Sequence, residues 1–326
     1  MSSELRVPQR PLARTGLTIP AIAFGAGPVS ALMTDPDVRE RQFATVQRAL
    51  SLGVDWFDTA ASYGNGASET SLGRVLRELG ASKSVRIGTK VRLLVDQLGD
   101  IAAAVRASVA GSLQRLGVSS VALLQLHNSI TRHRGDQPTS ITPDDVLRPG
   151  GVLEAFKQLR REGLVQHFGL TGLGDEESLT EVLASDTWAT MQMNLNLCEG
   201  SAGLRLGANF SKQDNSPGRR PAFFAIRVFA GGALAGKPPS THTLTTKFFP
   251  LPIYERDLRR AEAMRQMLPA GVSLEEAAVR FVVHHEQVTS AIIGFGSPEE
   301  VEDAARWAAN GPLSDDLVAT LTSSGV

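Results

Sequence analysis

Short apolar runs alternate with amphipathic, helix-like stretches along most of the chain. The eight runs cover residues 19–25, 54–59, 85–91, 121–127, 165–171, 189–195, 222–229 and 289–295. Runs of this length between helical segments predict βα units and a parallel sheet. Eight strands with crossover helices close most economically into a barrel. We therefore predict an α/β fold, a (β/α)8 TIM barrel that forms one domain over residues 1–326, with long loops at its C-terminal face.

Most helix-like stretches carry recognisable end signals. Residues 100–116 repeat apolar positions at i+4, Asp100 can cap the first turn, and Gly117 follows the last. Residues 151–162 behave in the same way. Between the sixth and seventh runs, however, residues 198–221 carry Gly, Ser, Asn and Pro. This composition predicts an irregular crossover before the seventh strand.

Charge and composition narrow the classes of partner. The 326 residues include 33 basic and 34 acidic side chains, a formal net charge of −1, so no overall field attracts nucleic acid or an anionic membrane. The N-terminus lacks the apolar core of a signal peptide, and no apolar run approaches the ~20 residues of a membrane span. The single cysteine, Cys198, excludes an intramolecular disulfide. We expect a cytoplasmic protein without a nucleic-acid or membrane partner.

Four polar side chains lie where the predicted strands reach the mouth of the barrel. Asp58, Lys90 and His127 lie at the ends of the second, third and fourth runs, and Tyr63 follows Asp58 on the next loop. Each alone is more often a turn, cap or packing residue, but catalytic groups of α/β barrels come from this end of the strands. A phenol is a weak acid at neutral pH, and a neighbouring ammonium stabilises its phenolate form. The combination predicts proton transfer by Tyr63, supported by Lys90 and Asp58, at a substrate oxygen oriented by His127.

With its flanking residues, this tetrad resembles the aldo-keto reductase superfamily. GVDWFDTAASYGNGASETSLGRVL resembles the family segment that carries the catalytic Asp and Tyr, here Asp58 and Tyr63, and Glu69 and Gly73 occupy their usual places. TKV resembles the lysine strand and LLQLHN the histidine strand. LREGLVQHFGLTGL, MQMNLN and AGGALAGK match further landmarks, so the resemblance covers nearly the whole chain. It implies a barrel that binds a nicotinamide dinucleotide in extended form, with the pyridine ring beside the tetrad.

The resemblance also implies a set of cofactor contacts, with Thr171 and Gln192 at the nicotinamide carboxamide. The expected cofactor-binding residues are Gly27, Asp58, Thr171, Gln192, Arg227, Gly294, Ser297, Glu300 and Asp303. Three positions depart from the family pattern, because Gly172 replaces an Asn, Ile226 replaces a stacking Tyr, and Arg227 replaces a Ser. An Arg at this position suits the pyrophosphate or an anionic substrate, or simply a loop edge.

The loop after the eighth run leaves the choice of nucleotide open. NADP is the usual cofactor of the family, but GFGSPEEVEDAA offers Glu299 and Glu300 where NADP-dependent relatives offer basic residues. Two carboxylates repel a 2′-phosphate, although the N-terminus of the following helix offers N–H groups. Ser297 and Glu300 also match a capping box, the more common role of such a pair. We expect NADP or NAD as cofactor, and no metal.

The predicted function is the NAD(P)(H)-dependent reduction of a small aldehyde or ketone to an alcohol, or the reverse reaction. The first alternative is an NAD-linked sugar or hemiacetal dehydrogenase. A cofactor-sensing regulatory barrel with little turnover is an alternative of another class, against which the intact tetrad argues. The sequence leaves substrate identity, direction and oligomeric state open.

Overall fold

A computed structural model describes residues 5–12, 15–199 and 221–323. Its strands are β1 (Gln9–Leu12), β2 (Leu17–Pro20), β3 (Ile22–Gly25), β4 (Trp56–Asp58), β5 (Arg86–Val91), β6 (Val121–Leu126), β7 (Val165–Thr171), β8 (Thr190–Asn194), β9 (Ala222–Ile226) and β10 (Val288–Gly294). Strands β3 to β10 form a closed parallel barrel in chain order, with β10 pairing to β3. The predicted (β/α)8 barrel is confirmed.

Helices surround the barrel, and the two that the sequence defines most clearly lie where expected. The helices are α1 (Arg39–Ser51), α2 (Ala67–Glu78), α3 (Ile101–Leu116), α4 (Pro143–Leu147), α5 (Val152–Arg161), α6 (Glu176–Leu183), α7 (Thr241–Thr245), α8 (Leu251–Arg265), α9 (Leu274–Val283), α10 (Pro298–Ala309) and α11 (Asp315–Ser323). The Asp100 carboxylate accepts a hydrogen bond from the Ala103 N–H at 3.0 Å and so caps α3. Gly117 ends the helix with a φ of 69°, a conformation that glycine adopts at little cost.

The first apolar run does not form one strand. Residues Leu17–Pro20 pair antiparallel with Gln9–Leu12, and the barrel strand begins only at Ile22. Pro20 is the local signal of this break, because proline is confined to edge strands and strand ends. The prediction of a single strand over residues 19–25 is therefore wrong in its first part.

The β1–β2 hairpin covers the N-terminal end of the barrel interior. Leu12 and Ile19 are buried in one cluster with the interior residues Trp56, Leu123 and Phe224. The Trp56 and Phe224 rings meet edge to face with centroids 5.5 Å apart. The lower interior is therefore packed with apolar side chains.

A polar layer lies directly above this apolar layer. Alternate residues of a strand share a face, so Asp58 faces the same side as Trp56. On the neighbouring strands, Lys90 and Gln125 are direct register partners and both are buried. The polar layer therefore lies at the C-terminal ends of the strands.

Two other expectations concern the crossover and the membrane. Residues 200–220 of the predicted irregular crossover lie outside the described residues. Within the described ranges, no helix is both long and apolar enough to cross a membrane.

Candidate active site

The four residues of the predicted tetrad meet at the mouth of the barrel. Asp58 ends β4, Lys90 is the penultimate residue of β5, and His127 directly follows β6. Tyr63 begins a short 3₁₀ turn on the loop after β4. The rings of Tyr63 and His127 meet edge to face, with centroids 5.7 Å apart. The structure thus brings all four side chains to one site.

Lys90 is a buried ammonium whose three donors are all used. Its side chain is 1% exposed, and Nζ donates to Asp58 Oδ1, to the Thr59 carbonyl oxygen at 2.9 Å and to Tyr63 Oη at 3.2 Å. Burial opposes the charge, but Asp58 and Tyr63 hold the pKa of Lys90 above its ordinary value. Lys90 therefore stays protonated and directs one N–H at the phenol oxygen.

Asp58 is held by two amides as well as by Lys90. Gln125 Nε2 donates to Asp58 Oδ2 at 3.0 Å, and Gln192 Nε2 donates to the same oxygen at 2.5 Å. Sequence reasoning missed Gln125, although a lone polar residue inside the buried run VALLQL needs a partner. Gln192 was expected at the carboxamide of the nicotinamide. In the structure, its amide nitrogen anchors the carboxylate that balances Lys90.

His127 is neutral at physiological pH. Burial, followed by the positive charges of Arg92 and Lys90, holds the pKa of His127 well below its ordinary value of 6.5. The Ser62 hydroxyl lies 3.5 Å from His127 Nδ1. When Ser62 donates to Nδ1, the ring proton is on Nε2. A neutral ring of this kind can donate one hydrogen bond to a substrate oxygen.

The loop that carries Tyr63 has a fixed backbone. Gly64 and Asn65 have left-handed φ values of 56° and 52°, a conformation that favours these residue types. Beyond the turn, the Ser68 hydroxyl donates to the Ala26 carbonyl oxygen at 2.8 Å. These features hold Tyr63 at the mouth.

Glu69 and Gly73, the two further landmarks of this segment, fix the position of the strand that carries Lys90. The fully buried carboxylate of Glu69 accepts from Thr89 Oγ1 at 2.5 Å and from Arg115 Nε at 2.7 Å. A Cβ atom on Gly73 would lie 2.4 Å from the Leu116 carbonyl oxygen, so only glycine allows α2 to pack so closely on α3. Because Thr89 precedes Lys90, this network fixes the lysine strand against α2 and α3.

A cavity of about 910 Å³ opens at the tetrad, large for a ligand site. Asp58, Tyr63 and His127 line it. So do seven of the other residues expected at the cofactor, namely Gly27, Thr171, Gln192, Arg227, Gly294, Glu300 and Asp303. Ser297 does not line it. Thr171 Oγ1 is buried without a hydrogen-bond partner among the described residues, which fits a hydroxyl that awaits a ligand amide.

Two departures from the family pattern have structural correlates. A Cβ atom on Gly172 would lie 2.7 Å from Met193 Cγ, so an asparagine at this position would require the Met193 side chain to move. The Arg227 guanidinium lies over the ring of Phe249, 4.0 Å from its centroid, and 3.7 Å from the buried carboxylate of Asp257. Arg227 therefore lines the cavity but already has an acidic neighbour.

The capping box expected at α10 forms only in half. Ser297 Oγ accepts from the Glu300 N–H at 3.5 Å. The Glu300 carboxylate does not return to Ser297 but accepts from the Gly296 N–H at 2.7 Å and pairs with Lys237 Nζ at 2.5 Å. The helix N-terminus is therefore capped by its own side chains, and Lys237 is neutralised.

A closed parallel barrel with this Asp–Tyr–Lys–His arrangement defines a class of barrel oxidoreductases. Residues 21–325 match the Aldo/keto reductase family. The chain belongs to the Aldo/keto reductase family.

Individual proteins support this assignment. L-galactose dehydrogenase of Arabidopsis thaliana is 26% identical over 300 residues, which is 91% of this chain and 87% of that protein. Pyridoxal 4-dehydrogenase of Microbacterium luteolum is 26% identical over 350 residues, which covers 98% of this chain and 97% of that protein. A solved aldo-keto reductase from Klebsiella pneumoniae in complex with NADPH is 21% identical, with a TM-score of 0.70 and 97% of this chain and 95% of that chain covered. This last likeness shows the shared fold.

Proposed function

We propose that this oxidoreductase interconverts a small carbonyl compound and its alcohol, with Tyr63 as the acid in reduction and the base in oxidation. One observation carries the proposal. The ammonium of Lys90 lies 3.2 Å from Tyr63 Oη, at a cavity that Tyr63 and the neutral His127 both line. This arrangement can lend and recover a proton at an oxygen atom.

Each side chain has a defined part in the reduction. A bound nicotinamide dinucleotide supplies the hydride in reduction and takes it up in oxidation. Tyr63 Oη gives its proton to the carbonyl oxygen, and the ammonium of Lys90 stabilises the phenolate that remains. Asp58 compensates the buried charge of Lys90, and His127 donates a ring N–H to the same substrate oxygen. Hydride on carbon and a proton on oxygen complete the alcohol.

The cavity residues fit a dinucleotide laid across the mouth. The unpartnered hydroxyl of Thr171 and the amide of Gln192 suit the carboxamide of the nicotinamide. Gly294 and Asp303 line the same cavity at β10 and α10, where the adenosine end would lie. Arg227 follows β9 and lines the same cavity, which supports its proposed contact with the pyrophosphate.

The charges at the adenosine end favour NAD over NADP. Lys237 pairs with Glu300, and this ion pair leaves little positive charge for a 2′-phosphate. Glu299 lies exposed beside Glu300, and Arg306 is paired with Asp303. We therefore propose that NADH is used at least as efficiently as NADPH. A kcat/KM for NADPH far above that for NADH would refute this preference.

Oxidation of a sugar hemiacetal is a second candidate reaction of the same site. Two relatives that span most of this chain are named as dehydrogenases, one of L-galactose and one of pyridoxal. The same Tyr63, as phenolate, would then accept the hydroxyl proton. Initial rates with NAD and aldose sugars, compared with rates for NADH and simple aldehydes, decide between the two directions.

A single-turnover experiment tests the assignment of Tyr63. Protein loaded with reduced cofactor is mixed with an aldehyde, and loss of reduced-nicotinamide absorbance is followed. Tyr63→Phe should abolish the signal while cofactor affinity stays within about threefold, since the hydroxyl supplies the proton rather than the binding energy. Tyr254→Phe, which removes the hydroxyl of the only other tyrosine, should retain it. Cofactor binding without turnover in the wild-type protein would instead indicate a cofactor-sensing barrel.

A further inference from the structure

Arg92 is a cation of the active-site cavity to which the mechanism gives no role. It follows β5, two residues beyond Lys90, and lines the cavity. Its guanidinium lies over the ring of Phe248, with Cζ 4.5 Å from the centroid. Its Nε is buried and has no hydrogen-bond partner among the described residues. Arg92 as a whole is only partly buried, but a buried guanidinium nitrogen is seldom left without a partner.

Three other cations at this site lie near a carboxylate. The pairs are Lys90–Asp58, Lys237–Glu300 and Arg227–Asp257, although Asp257 also pairs with Arg256. Lys247 also lines the cavity but is exposed to solvent, which satisfies its charge. In the part of the chain that the structure describes, no carboxylate lies within ion-pair distance of Arg92. Its guanidinium is thus available to an anion that enters the cavity.

Arg92 lies close to the tetrad. It follows the strand that carries Lys90, whereas Arg227, the expected pyrophosphate contact, follows β9 on the opposite side of the barrel, although the two guanidiniums stack on the adjacent rings of Phe248 and Phe249. The charge of Arg92 acts on both Tyr63 and His127, the two groups that would receive the substrate oxygen. An anion bound by Arg92 would therefore lie near the reacting carbonyl.

We propose that Arg92 binds a carboxylate of the substrate, so that the enzyme acts on small carbonyl compounds that carry a carboxylate group. This inference rests on the proposed carbonyl–alcohol reaction. The guanidinium edge matches a carboxylate with two parallel hydrogen bonds, and stacking on Phe248 fixes the plane of the group.

The charge count favours a carboxylate over a phosphate dianion. His242 also lines the cavity, and its pKa is lowered by burial and by the charges of Arg92 and Arg227. At neutral pH the imidazole therefore adds no second positive charge. Lys247, the other cavity cation without a carboxylate partner among the described residues, is exposed to solvent, so the partly buried guanidinium of Arg92 is matched by one negative charge.

Matched acid and amide substrates test the proposal. We would measure kcat/KM for 4-oxobutanoate against 4-oxobutanamide, and for 4-formylbenzoate against 4-formylbenzamide, two pairs of different span. The wild-type protein should prefer the acid of at least one pair by about 10- to 100-fold, the scale of a charge-assisted hydrogen bond. Arg92→Gln should remove that preference, because kcat/KM for the acid should fall while kcat/KM for the amide stays within about threefold of the wild-type value. Arg92→Lys should restore part of it.

Controls separate the possible failures. Arg132→Gln removes an exposed arginine from the loop after β6 that does not line the cavity, and it should keep the preference for the acid. Equal losses on acid and amide in Arg92→Gln would overturn the proposal, because Arg92 would then only order the site. Absence of turnover on all four substrates would count against the proposed function. In that case, calorimetric titration with 4-(hydroxymethyl)benzoate tests the carboxylate site without turnover. Equal affinity of the wild-type protein and Arg92→Gln would overturn the site, and weaker binding by Arg92→Gln would support it.

Discussion

The buried pair of Lys90 and Asp58 makes a quantitative prediction about stability. Lys90→Met leaves a carboxylate buried without its ammonium, and Asp58→Asn leaves an ammonium buried without its carboxylate. Breaking a buried ion pair from one side costs about 3–5 kcal/mol of unfolding free energy, because the remaining charge is uncompensated. We expect both single variants to be destabilised on this scale.

The structure places the two single variants at the lower end of that range. After Lys90→Met, Asp58 keeps hydrogen bonds from Gln125 and Gln192. After Asp58→Asn, Lys90 keeps the Thr59 carbonyl oxygen and Tyr63 as acceptors. Each should therefore cost about 3 kcal/mol. The double variant buries neither charge, so we expect it to cost no more than either single variant, about 3 kcal/mol or less and not 6.

Urea unfolding of the wild-type protein, the two single variants and the double variant measures this coupling. The exposed pair of Arg106 and Glu162 provides a control cycle, with Arg106→Met and Glu162→Gln, for which we expect little coupling because water screens it. Losses at Lys90 and Asp58 that simply add would refute the interpretation of these residues as one electrostatic unit. Turnover should follow the same rule, with the double variant resembling Lys90→Met alone.

Three further predictions concern the nucleotide, pH and packing. Glu300→Arg should raise the ratio of NADPH to NADH affinity about tenfold or more, measured by fluorescence titration, because it frees a lysine and adds a cation. Burial holds the pKa of His127 in the folded protein below 6.5, the value of an unfolded histidine. Below pH 6.5 the unfolded chain therefore binds more protons than the folded protein, and the free energy of unfolding falls as the pH drops through 6.5. His127→Asn should flatten this fall in urea unfolding between pH 7.5 and 5, and His133→Asn, at an exposed site, should not. Gly172→Ala should lower the unfolding free energy by about 1–3 kcal/mol through the clash with Met193, and unchanged thermal unfolding would contradict it.

The barrel and the tetrad could be predicted from the sequence because both depend on local order. Buried parallel strands appear as apolar runs, and a polar residue that ends such a run must lie at the mouth. Asp58, Lys90 and His127 could be placed in this way without any knowledge of distant contacts. The β1–β2 hairpin could not, because Ile19 and Ile22 belong to one apolar run that only Pro20 interrupts.

Side-chain contacts between residues far apart in the chain could not be predicted from the sequence. Glu300 pairs with Lys237, 63 positions away, and Gln192 reaches Asp58 across 134 positions. Neither separation leaves a periodic signal. Arg92 likewise looks like an ordinary polar residue after a strand, and its significance emerges only from the ring of Phe248 and the missing carboxylate.

The apolar layer beneath the tetrad has a consequence for the movement of protons. Trp56 and the residues packed around it exclude water from the lower face of Asp58 and Lys90, so exchange with bulk solvent must proceed through the mouth. Cofactor and substrate would fill that mouth during the reaction. The proton that Tyr63 gives up must then be in place before they bind, and it can be replenished only after one of them leaves. Each catalytic cycle would therefore draw on a single stored proton, reloaded at product release.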